Sequence, residues 1–119
     1  MFNMRKDDAE FKFNRSVRNA GQLVSRLAEN LANGDDAAVF IKNATEFKTA
    51  AFCAVEYWTT ATDKDASNFD WTFEQRGETG DMARNRNNLR ESRNIYRILL
   101  PIAARIYGAE KINLVDLMA

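Results

Sequence analysis

Histidine is absent from the 119 residues, and cysteine and proline occur once each. Without an imidazole there is no Ser–His or Cys–His nucleophile pair, the commonest general base is missing, and most transition-metal sites cannot be built. A lone cysteine excludes an internal disulfide and fits a reducing cytoplasm. Cys53 lies in the apolar run Ala50–Val55, which predicts a buried, inert thiol. The five glycines are scattered and form no phosphate-cradling loop, so no cofactor is expected. No apolar run approaches the roughly 20 residues of a membrane span. The opening Met-Phe-Asn-Met-Arg-Lys-Asp-Asp is too polar for a signal peptide, so a cytoplasmic location without membrane contact is expected. The helix acids Glu46 and Glu56 are ten residues apart, about 80° from a shared helical face. With no acid–base constellation, the chain reads as non-enzymatic and without a small-molecule substrate.

What is present is a compact, apolar composition: 45% hydrophobic residues, 11% aromatic. The length suits one domain, residues 1–119, with a single core. Net charge is zero but unevenly spread. Between Glu29 and Asp81 eleven acids face four bases, whereas between Arg84 and Arg105 six arginines face only Glu91. The first 26 residues add an excess of three positive charges. Basic ends around an acidic middle suit self-complementary packing, head-to-tail assembly or a basic face for nucleic acid.

Hydrophobic periodicity predicts an all-α fold, a small antiparallel bundle of three long helices and a short C-terminal fourth. Phe13, Val17, Ala20, Val24, Leu27 and Leu31 repeat at spacings of four and three, giving a first helix over 8–32 with Asp7 or Asp8 as its cap. Asn33-Gly34 supplies a left-handed stop and Asp35 the next N-cap, so an αα-hairpin follows. Phe40, Ala44, Phe47, Ala51, Ala54 and Trp58 keep the same rhythm over 36–61. A third helix starts near Asp81, must kink or restart at Pro101, and ends at Gly108. The tail from Lys111 carries an N-cap at Asn113 and is expected to fold back over the core.

The segment 62–81 breaks the pattern, and so long a connection in a small domain is commonly functional. Phe69, Trp71 and Phe73 alternate with polar residues, as in a short strand or an aromatic anchor. They either pin the loop over one end of the bundle or present a stacking platform for unpaired bases or, with Leu117 of the tail, a hot spot for a protein partner. Within the same segment, Asp63, Asp65, Ser67 and Glu74 fall at positions one, three, five and twelve. This spacing resembles the calcium loop of EF-hand proteins and implies a hard-cation site. Asn68 and Asp70 depart from it, standing where that family has glycine and a buried aliphatic residue, so no metal site is expected.

Arg86, Arg90, Arg93 and Arg97 fall at i, i+4, i+7 and i+11, within about a 60° sector of one helix face. None has an acidic partner on its own helix. Arginine forks suit phosphates, and Asn87, Asn88 and Asn94 are interleaved with them. The expectation is therefore a non-enzymatic subunit or accessory protein in which Arg86, Arg90, Arg93, Arg97, Asn87 and Asn94 contact a nucleic-acid backbone, without sequence preference. Such a protein fits inside a larger ribonucleoprotein assembly, like the small helical subunits of CRISPR surveillance complexes. The alternative is a phage- or plasmid-type interaction module that binds a host complex through Phe69, Trp71, Phe73 and Leu117.

Overall fold

The structure is a computed structural model that describes residues 5–118. Three long helices carry it: α1 (Lys6–Asn33), α2 (Ala37–Thr62) and α3 (Gly80–Tyr107), with a short α4 (Leu114–Leu117) after them. One turn of 3-10 helix, Ala66–Asn68, interrupts the long loop, and the described residues contain no strand. This is the small all-α bundle that the periodicity predicts.

Local chemistry sets the helix ends. Gly34 adopts φ 68°, ψ 33°, and its N–H and that of Asp35 cap carbonyls of the last turn of α1. α2 then starts after Asp36, not Asp35. The Asp35 carboxylate accepts instead from the Asn30 amide at 2.8 Å, and Asn30 accepts from Asn43 at 2.9 Å, so a polar chain locks the hairpin. Asp7 and Asp8 lie inside the first turn of α1 and act on its dipole, not as caps. Thr79 caps α3 by accepting from the Met82 N–H at 3.2 Å, and Asn113 caps α4 as expected.

α1 and α2 are antiparallel, and α3 returns antiparallel to α2 and parallel to α1. Asn85 donates to Asn14, and Ser92 sits beside Gly21: both pairs differ by 71 residues, the mark of parallel helices in register. Across α2 and α3 the order is reversed, with Phe47 stacked on Tyr96 at 4.4 Å and Phe40 against Tyr107 at 5.8 Å. α1 packs closely on both neighbours, whereas these large rings hold α2 and α3 apart. The core takes Phe13, Leu27, Phe40, Phe47, Trp58 and Leu100 among others, all fully buried.

Pro101 is exposed, and α3 continues through it as one helix of 28 residues. The helix does not restart there: the ring lies on the exposed side, and the Arg97 carbonyl, which loses its i+4 donor, is the one backbone group it leaves without a helical partner. Ile112 and Leu117 are buried under the tail, and the Tyr96 hydroxyl donates to the Leu117 carbonyl at 2.6 Å. Cys53 is half-buried beside a cavity between α1 and α2, so the expectation of a fully buried thiol does not hold.

Candidate interaction groove between the second and third helices

The long loop is tied down by one arginine. Arg86, at 1% exposure, lies beneath the loop and presents all three guanidinium nitrogens to it. Nε donates to Glu78 Oε2 at 2.6 Å and Nη2 to Oε1 at 3.1 Å, a bidentate pair with both side chains buried. The remaining donors reach the carbonyls of Phe69, Trp71 and Phe73. Glu78 also accepts from the Trp58 indole at 2.7 Å and from the Gln75 N–H at 2.7 Å. Burial on its own pushes the Glu78 carboxyl up. The hydrogen bonds from Arg86, Gln75 and Trp58, together with the Arg86 charge, outweigh it and hold the group below the usual carboxylate range. The expected row of four ligand-facing arginines is thus corrected: Arg86 is a buried structural residue with no donor left for a phosphate.

The other three arginines diverge. Arg93 is largely buried; it pairs with Asp70 at 2.5 Å and lies over the Phe69 ring at 5.5 Å. Arg90 makes only a long hydrogen bond to Asn87, and Arg97 is exposed. Neither has an ion pair to a described residue. Asn87 and Asn94 are exposed on the same side of α3.

Arg93 and Arg97 form one wall of a groove where the stacked rings open the α2–α3 seam. Its volume is about 350 Å³. The floor and far wall are apolar: Phe47, Ala51, Phe52, Val55, Tyr96 and Met118. Lys48 stands at the opposite rim, its ammonium donating to the Asp116 carbonyl and so keeping its charge uncompensated. The result is an apolar trough with cations on both sides and no carboxylate in its lining. Phe52, 68% exposed, is the most open of its apolar residues. No protein-family model, curated protein or solved structure matches the chain.

The aromatic loop separates into two parts. Phe69 is buried edge-on against Phe13 and Trp58, at 6.2 and 5.3 Å, and so cannot meet a partner. Trp71 and Phe73 remain exposed, loosely paired with centroids 6.4 Å apart. Leu117 is likewise withdrawn into the fold, while its neighbours Val115 and Met118 stay open. These are corrections to the expected partner surface. Both side chains are taken up by the core, Phe69 between Phe13 and Trp58 and Leu117 beside Tyr96.

The acids of the calcium-like spacing do not converge. Asp63 takes a left-handed conformation at the end of α2 and pairs with Lys6, while Asp70 turns to Arg93. Among the described residues no three acidic or metal-ligating side chains are grouped to hold an ion. Lys48, Phe52, Val55 and Met118 were not singled out by sequence. In α2 the sole signal is that Phe52 lies off the Phe40–Trp58 stripe, a large ring placed where the core does not need it.

Proposed function

We propose that the chain is a non-enzymatic interaction module whose α2–α3 groove receives an amphipathic segment of a partner protein, with apolar side chains in the trough and acidic ones at its rims. The observation that carries this reading is an apolar trough, open at Phe52 and Met118, with the unpaired cations Lys48 and Arg97 on its two sides. The trough runs along about eight residues of α2, roughly 12 Å, which matches two turns of a bound helix. Burying Phe52 and Met118 supplies the affinity, and the cations select the partner and its orientation.

The absence of an ion pair at Arg90 and Arg97, beside exposed Asn87 and Asn94, favours a second reading: contact with a nucleic-acid backbone, alone or within a larger ribonucleoprotein assembly. Magnitude favours the first. With Arg86 consumed and Arg93 paired, two or three phosphates are reachable. So few contacts yield weak, strongly salt-dependent binding and leave the apolar floor without a role.

Selection of helical peptides from a displayed library on the full chain, then titration of a labelled winner, tests the proposal. Winners should carry large apolar residues flanked by Asp or Glu. Their binding should be lost in both Phe52→Asp and Arg97→Glu and kept in Trp71→Ala. Labelled single-stranded nucleic acid is titrated in parallel. Binding that weakens steeply with salt, is lost in Arg90→Glu/Arg97→Glu and ignores Phe52→Asp would instead establish the second reading.

A further inference from the structure

α3 has a second face that the bundle does not use. Ile95, Ile98, Ile102 and Ile106 are 45%, 63%, 42% and 54% exposed, at helical spacings of three, four and four. Taken at 100° per residue they form a stripe centred about 145° around the helix from Arg97, so the stripe and the groove are separate surfaces. Four isoleucines in line are not the scattered apolar residues of an ordinary surface. Such a 3-4 seam is the pattern by which one helix packs against another.

The charges beside the stripe specify the occupant. Glu91 lies one turn before Ile95, in line with it, and Arg105 lies beside Ile102 and Ile106 at the other end. Both are exposed, and neither makes an ion pair with a described residue. A helix with an acid at one end of an apolar seam and a base at the other is complementary to its own reverse. Antiparallel pairing sets Ile98 opposite Ile102 of the second copy and Ile95 opposite Ile106. It also brings Glu91 within reach of Arg105 of the second copy, twice by symmetry. Parallel pairing would oppose glutamate to glutamate and arginine to arginine.

We infer that two copies of this chain associate through α3, antiparallel about a two-fold axis near the middle of the isoleucine stripe, with reciprocal Glu91–Arg105 ion pairs.

Sedimentation equilibrium of the full chain over a wide concentration range, with circular dichroism to check helicity, provides the test. The wild type should dimerise, and Ile98→Lys, a surface change that keeps helicity, should be monomeric at the same concentrations. Glu91→Arg and Arg105→Glu should each weaken the dimer by about tenfold, and the double exchange should restore it. A wild type that stays monomeric throughout overturns the inference, as does a dimer untouched by Ile98→Lys. A dimer lost in Ile98→Lys but unrescued by the double exchange overturns the antiparallel arrangement.

Discussion

Arg86 and Arg90 are four residues apart on the same helix face, yet one is fully interior and the other only half-buried. The difference comes from across the chain: Glu78 and three loop carbonyls meet Arg86 and not Arg90. Helical geometry reports which side a residue faces, not which neighbour arrives there, so the arginine row was legible and the fate of its first member was not. A buried pair of this kind contributes little when intact but is expensive to break. Arg86→Met should lower stability by about 3–5 kcal/mol in chemical denaturation, because an unpaired Glu78 and three carbonyls stay behind. Acid should act through the same pair. The Glu78 carboxyl is held below its ordinary 4.5, so its stabilisation is complete above that pH and is lost as pH falls through the depressed native value. The alkaline side has the opposite sign. Burial pushes the Tyr96 hydroxyl up to about 12, so its contribution is complete below pH 10 and disappears as pH rises toward 12. A Tyr96→Phe variant should therefore show a flatter stability profile between pH 10 and 12 than the wild type. A profile of unchanged slope would mean that the buried Tyr96 hydroxyl does not govern the alkaline limb.

At the scale of the element, the long helices follow directly from the four-three rhythm of Phe13–Leu27 and Phe40–Trp58, the ends of α1 and α3 follow from Gly34 and Gly108, and the start of α4 follows from Asn113. Pro101 did not follow. A proline inside an apolar run reads as a kink or a restart, but the run Leu99–Ala104 is only partly interior, and α3 continues through Pro101 without restarting. The cost of keeping that proline remains. Pro101→Ala restores the hydrogen bond to the Arg97 carbonyl and removes the ring, so the thermal midpoint should rise, with a gain of about 1–2 kcal/mol after the looser unfolded chain is counted. A midpoint that falls would show that the proline shapes α3 in a way the bundle requires. The groove was least legible of all. It arises because Phe47 and Tyr96 stack and hold two helices apart, a spacing set by ring volume across 49 residues of sequence and not by any local pattern.

For the whole molecule, α3 is the shared axis: one side closes the core, a second walls the groove with Arg93 and Arg97, and a third carries the isoleucine stripe. Zero net charge leaves such a chain free to associate, since no overall repulsion opposes a second copy or a partner. If the groove and the stripe are both used, they are structurally independent and coupled only through valency. Ile98→Lys should leave the affinity of a single soluble peptide for the groove unchanged, because Ile98 lines none of it. Against a partner that presents two copies of the segment, the same substitution should cost on the order of 100-fold in apparent affinity, since each chain then offers one groove instead of a linked pair. Surface-immobilised peptide at high and low density separates these two effects. Equal losses at both densities would mean that the stripe shapes the groove directly. No loss at either density would mean that the two grooves of a dimer point too far apart to engage together.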